Sequence, residues 1–170
     1  MREPETACVK SELIDGSEAK DAVGVGAKEL DMVLNYGQLK EKGYSEVYTD
    51  IAAVRSVAPD PVVLKVILET SQLSRHDIVA GCKIAEAAGA DFVKTSTGFN
   101  GPGATEENVS LMRNVVGKSV KVKASGGIKT VSDCITMMEA GAERIGCSSG
   151  ISIMEEAKKV LGDITHKVGK

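Results

Sequence analysis

Two lysines end apolar runs just ahead of glycine: Lys94 in DFVKTSTGF and Lys123 in VKVKASGGI. A lysine attacks a carbonyl only as the free amine, and a second ammonium close by favours that form by lowering its pKa. Paired amines at the mouth of a sheet, beside flexible phosphate-sized loops, are equipment for imine chemistry on a phosphorylated sugar. The ordinary place for a strand lysine is a solvent-facing sheet edge. Here Phe92, Val93, Val120 and Val122 make the runs apolar on both faces, as in parallel strands covered by helices. A lysine in such a strand is either costly or functional. Lys65, mid-strand in VVLKVILE, and Lys121, two residues upstream of Lys123 on the same face, read as supporting or rim charges.

The elements that must carry these lysines announce themselves through a recurring phrase. A helix ends on Gly-Ala, an acid follows, and a strand begins: GAKELDMVLN from Gly26, GADFVKTSTG from Gly89 and GAERIGCSSG from Gly141. Glycine just past a helix supplies the left-handed residue that closes it. With VVLKVILE from Val62 and VKVKASGG from Val120, about five strands recur roughly every 30 residues, the length of a βα unit. Between them, Ser74, Thr105, Thr130 and Ser152 each stand three residues ahead of an acid or amide, which predicts capped helices. Ile78, Cys82, Ile84 and Ala85 mark a core-facing helical stripe.

Alternating strands and helices with short links imply an α/β fold with a parallel sheet and right-handed crossovers. An open doubly wound sheet and a (β/α)8 barrel both satisfy that pattern. Polar or reactive residues close five successive strands, namely Asp31, Glu69, Lys94, Lys123 and Ser148. A barrel gathers its site from many strand ends, whereas an open sheet uses one switch point, so the barrel is favoured. Gly126-Gly127 and the loop Gly146-Cys147-Ser148-Ser149-Gly150, which leads into a helix, fit an anion site made of backbone amides and a helix N-terminus. The plainer role for these glycines is to form tight turns.

Composition excludes several classes of function. With 42% hydrophobic and 26% charged residues in 170, the chain suits one globular domain. A net charge of −3, no basic stripe and five aromatics argue against nucleic acid as a partner. The opening MREPETACVKSELIDG is too charged for a signal peptide, no apolar run predicts a membrane span, and a cytoplasmic protein is expected. Cys8, Cys82, Cys134 and Cys147 are too scattered for a disulfide frame or a zinc site, and Cys147 reads as a small buried thiol. His76 and His166 lack partners at metal spacing, and Met137 and Met138 read as packing residues. No metal or cofactor is expected, and self-association into a homo-oligomer stays open.

In this order, DMVLN, VLKVILET, GADFVKTSTGF, GPGATEENVSLMR, VKASGGI and RIGCSSG resemble the deoxyribose-phosphate aldolases, class I aldolases on a (β/α)8 barrel. The resemblance runs from about residue 19 to about residue 159. It implies reversible cleavage of 2-deoxy-D-ribose 5-phosphate, a small phosphosugar, into D-glyceraldehyde 3-phosphate and acetaldehyde. It also implies that Lys94 forms the Schiff base, that Lys123 lowers its pKa, and that Asp31 works with Lys123 and water in proton relay. Gly98, Gly126, Gly127, Ser148 and Ser149 match the family's phosphate-holding positions. Elementary electrostatics agrees about Asp31, since a carboxylate inside an apolar strand needs a cation and Lys123 is a natural partner.

The front of the chain departs from that pattern. Residues 1–18 read as a non-matching segment and 19–170 as a partial barrel of about five strands, where eight units need roughly 250 residues. An incomplete barrel leaves edge strands with unpaired backbone groups. Two other functions therefore stand beside the first: another class I phosphosugar aldolase, or a non-catalytic remnant acting through association with a full-length relative.

Overall fold

The computed structural model describes residues 6–9 and 17–168, with side chains described for residues 17–160. Cys8, His166 and the charges of the first 16 residues lie outside the described side chains. Six parallel strands form one sheet: β1 (Thr6–Val9), β2 (Glu29–Val33), β3 (Val63–Ile67), β4 (Phe92–Lys94), β5 (Lys121–Ser125) and β6 (Arg144–Gly146). Their spatial order is their order in the chain. That progression is the barrel pattern, because a doubly wound sheet reverses direction at its switch point.

Helices α1 (Ser17–Gly24), α2 (Tyr36–Lys40), α3 (Tyr44–Val57), α4 (Arg75–Ala87), α5 (Glu106–Val115), α6 (Val131–Glu139) and α7 (Gly150–Val168) alternate with the strands. None of the described helices is long and apolar enough to cross a membrane. The five strands expected from sequence are all present. The sixth, β1, falls inside segment 1–18 and pairs in parallel with β2, Thr6 opposite Glu29 and Val9 opposite Met32. Its four residues, TACV, are too few to show periodicity between charged flanks, which is why the sequence does not betray it.

The Gly-Ala-acid phrase has a physical explanation in the fold. Gly26, Gly89 and Gly141 take φ of 99°, 85° and 107°, so each helix is closed by a left-handed residue. The acid then serves two partners at once. Asp91 accepts the Leu64 amide at 2.7 Å and the Arg55 guanidinium at 2.9 Å. Glu143 accepts the Val122 amide at 2.7 Å and Arg113 at 2.9 Å. Asp91 and Glu143 thus stitch the start of their own strands to the preceding strand and to a helix, whereas Glu29, the acid of the first phrase, pairs instead with Lys65 and Arg144.

Ser74, Thr105 and Thr130 cap α4, α5 and α6 through side-chain oxygens. Ser152 does not cap a helix. The chain turns helical at Gly150, with three residues separating it from the strand, and the Ser149 carbonyl accepts the Ile153 amide at 3.0 Å, so Ser152 lies within the first turn. Ile51, Val54, Ile78, Cys82 and Met112 pack with strand residues Leu30, Leu64, Val66, Val93 and Val122, forming the core between sheet and helices. Met137 joins that core, whereas Met138 is 53% exposed and packs little.

The other face of the sheet is charged. In-register pairing puts Asp31 beside Lys65, Lys65 beside Phe92 and Phe92 beside Lys121 in one row. Two positions further along, Ile67, Lys94, Lys123 and Arg144 form the next row. Lys121 is exposed at the start of β5 with its ammonium 5.7 Å from the Phe92 ring centroid, so it is a rim charge and not a deep one. Among the described residues, β1 and β6 each pair with a single neighbour and the sheet does not close on itself.

Candidate active site

One carboxylate organises the inner face. Asp31, 4% exposed in the middle of β2, receives the Lys65 ammonium on Oδ1 at 2.8 Å. On Oδ2 it receives Lys94 at 2.8 Å and Lys123 at 3.1 Å. Lys65 is fully buried and its ammonium also meets Glu29 at 2.7 Å. Arg144 reaches Glu29 at 2.6 Å from β6 while its guanidinium lies 4.7 Å from the Phe92 ring centroid. Lys123 is therefore a partner of Asp31, as expected, but one of three. Of the two roles expected for Lys65, supporting or rim, the structure shows the first: it is the counter-ion that anchors the far side of the carboxylate.

The electrostatics follow from this packing. Burial works to raise the Asp31 carboxyl, yet hydrogen bonds from Lys65 and Lys94 and the charges of Lys94 and Lys123 outweigh it and hold the group well below the ordinary carboxylate range. Burial lowers the Lys123 ammonium, the Lys94 charge lowers it further, and Asp31 only partly compensates. Four cations, Lys65, Lys94, Lys123 and Arg144, thus share two carboxylates, Glu29 and Asp31. The cluster carries two more positive charges than negative ones when all six side chains are ionised, and a dianion would balance it.

Lys94 and Lys123 open into a cavity of about 300 Å³ that is also lined by Gly98, Gly126, Gly127 and Ser148. The structure thereby brings together six of the eight residues singled out from sequence. Asp31 lies beneath, bonded to both lysines, and Ser149 stands just beyond the lining at the start of α7. Cys147, expected to be buried, is exposed and lines this cavity, because the loop after β6 turns outward before α7 begins.

The strand ends are locked together so that the two amines keep their spacing. The Thr95 hydroxyl donates to the Ser125 carbonyl and accepts the Ser125 amide, both at 3.0 Å, and the Ser125 hydroxyl donates to the Ser96 carbonyl at 2.6 Å. Above them Gly103 lies against the backbone of Gly126 so closely that a Cβ at position 103 would overlap it. Gly126 itself has φ of 85° and Gly127 of 78°, which a side-chain-bearing residue resists. The amides of Gly98, Gly126 and Gly127 donate to no group among the described residues and are free to serve an anion.

Comparison with known proteins places this geometry in a family. Residues 5–156 match the DeoC/LacD family aldolases. The chain belongs to that family. A deoxyribose-phosphate aldolase of Coccidioides immitis is 58% identical over 145 residues, covering 84% of this chain and 54% of that protein. One from Macrococcus caseolyticus is 55% identical over 143 residues, covering 83% and 64%. This DeoC/LacD chain therefore spans less than two thirds of the length of these relatives. A crystal structure from Coccidioides immitis matches with a TM-score of 0.83 at 52% identity, covering 90% of this chain and 64% of that one. A deoxyribose phosphate aldolase from Aeropyrum pernix, described as having a unique tetrameric structure, matches at 0.76 and 30% identity, covering 90% and 68%. The incomplete (β/α)8 barrel expected from sequence is the fold these likenesses support.

Glu29 and Arg144 carry no local signal that makes them members of the site, and Lys65 shows in the sequence only as a supporting charge. The signal for Lys65 was available in principle: once β2 and β3 are paired in parallel, the buried acid of one and the buried amine of the other fall side by side.

Proposed function

We propose that this chain carries the chemistry of a deoxyribose-phosphate aldolase, an aldehyde-lyase that cleaves 2-deoxy-D-ribose 5-phosphate through a Schiff base on Lys94. The observation that carries the reading is the pair of cavity-lining amines, Lys94 and Lys123, on one oxygen of a buried carboxylate beside three unpartnered glycine amides. The Lys94 amine attacks the C1 aldehyde, and loss of water gives the imine. Removal of the C3 hydroxyl proton then breaks the C2–C3 bond, releases glyceraldehyde 3-phosphate and leaves the electron pair in an enamine. A proton added at C2 and hydrolysis by water give acetaldehyde and the free lysine. Lys123, whose proton is held less tightly than an ordinary lysine's, is suited to moving those protons, and Asp31, ionised across the working pH range, holds it and Lys94 in place for a relay through water.

The amides of Gly98, Gly126 and Gly127, with Ser148 and the helix start at Ser149, are suited to the phosphate, and the excess of cations over carboxylates in the cluster favours an anion over a neutral sugar. A retro-aldol assay comparing deoxyribose 5-phosphate with unphosphorylated deoxyribose tests this reading. Ser148→Glu is expected to raise the KM for the phosphorylated substrate far more than for the plain sugar, because the new carboxylate repels the dianion. Equal losses on both substrates would remove these loops from the phosphate site. The second reading, a remnant that works only beside a longer relative, draws on the share of the relatives' length that this chain spans. Turnover by the purified chain alone would contradict it.

A further inference from the structure

Just after β3, Glu69 adopts a left-handed backbone at φ 58° and ψ 59°, a conformation that a side-chain-bearing residue takes only under strain. It is also 2% exposed, and its carboxylate has no cationic partner among the described residues. Strain and a buried carboxyl group therefore coincide at one residue, and what that residue holds is a single neighbour. The Thr97 hydroxyl donates to Oε2 at 2.6 Å, and the Thr97 amide approaches both carboxylate oxygens at 3.3 Å. The Thr97 hydroxyl in turn accepts the Phe99 amide at 3.2 Å. Two residues further on, the Ser71 hydroxyl donates to the Asn100 carbonyl at 2.6 Å, so the turn after β3 grips the loop after β4 at both ends.

This chain of bonds consumes the amides of Thr97 and Phe99, while that of Gly98 between them has no acceptor among the described residues. Gly98 lines the cavity. We propose that Glu69 is a positioning residue for the anion site: by taking up the donors of Thr97 it fixes the loop after β4 so that the unbonded Gly98 amide stands at the cavity, where a phosphate can take it. Glu69 touches neither Lys94 nor Lys123 in the hydrogen-bond network, so its effect falls on phosphate affinity and spares imine formation. The inference rests on the phosphosugar reading for its biological sense, but it can be tested without turnover.

The test uses Glu69→Gln, which keeps one acceptor, and Glu69→Leu, which keeps none at similar size. Three quantities are read on each folded variant: the Kd for inorganic phosphate from the amide shift of Gly98, the rate of acetaldehyde trapping on Lys94 by borohydride, and the melting temperature. Phosphate affinity is expected to fall in the order wild type, Gln, Leu, with about a tenfold loss for Leu, as for removal of a charge-assisted hydrogen bond. Trapping on Lys94, which needs no phosphate, is expected to stay within about twofold. If Leu does not fold, a loss in Gln of phosphate affinity without loss of trapping still supports the role. Unchanged phosphate affinity in Gln and Leu, a parallel fall of affinity and trapping, or a wild type that binds no phosphate would each overturn it. A wild type that binds phosphate through Gly98 but never traps acetaldehyde would sink the aldolase reading and leave this inference standing.

Discussion

Asp31→Asn is expected to destabilise the chain by about 3–5 kcal/mol, the usual cost of removing one member of a buried ion cluster. The loss is large because Asp31 serves Lys65, Lys94 and Lys123 together, and Lys65 is fully buried with only Glu29 left to pair it. The pH dependence carries the same signature. The Asp31 carboxyl is held below its ordinary value of 3.8, so the unfolded chain binds the proton more readily. The stability it contributes is fully present above that value and is lost as the pH falls toward its folded pKa. Lys123 is shifted below its ordinary 10.5, so its buried ammonium costs stability at neutral pH and the cost is relieved as the pH rises toward that value. Urea unfolding from pH 2.5 to pH 10.5, on wild type and Asp31→Asn, measures both effects. An Asn variant with the wild-type midpoint and the same acid slope would show that Asp31 does not hold the cluster.

Lys94→Arg is expected to reduce aldolase turnover to that of a protein-free control while leaving the fold in place. Arginine retains the positive charge that Asp31 Oδ2 requires at 2.8 Å, so the ion cluster survives. Its guanidinium stays protonated and cannot become the nucleophilic amine. The larger head group adds at most about 1–3 kcal/mol of packing strain at a position whose side chain is 12% exposed. Steady-state assay with circular dichroism of the same sample separates lost chemistry from lost structure. Residual turnover above background in a folded Lys94→Arg protein would move the nucleophile elsewhere, with Lys123 as the next candidate.

Sequence and structure agree where the deciding physics is local. A left-handed glycine after a helix is written in the chain at Gly26, Gly89 and Gly141, and the hydroxyls at Ser74, Thr105 and Thr130 find their amides three residues on. Lys94 at the end of β4 and Lys123 in the middle of β5 are legible for the same reason: an amine in a run apolar on both faces stands out whatever surrounds it. What escaped depends on which strand lies beside which. Asp31 and Lys65 are 34 positions apart and meet only through the β2–β3 register, and Arg144 meets Glu29 across 115 positions of the chain. Strand β1 escaped because four residues carry no period, and Cys147 because its exposure is set by where the loop after β6 turns. Glu69 was visible as a polar strand end, but its left-handed backbone and its grip on Thr97 were not.

The central claim is that Lys94 is the imine-forming residue, and covalent trapping tests it most directly. The purified chain is incubated with acetaldehyde and sodium borohydride, digested, and mapped by mass spectrometry. The account predicts a stable ethyl adduct on Lys94, because that amine lines the cavity beside Lys123 while Lys65 is sealed from solvent. An adduct on Lys123 or Lys65 with Lys94 unmodified, or a Lys94 no more reactive than exposed lysines such as Lys121, would contradict it.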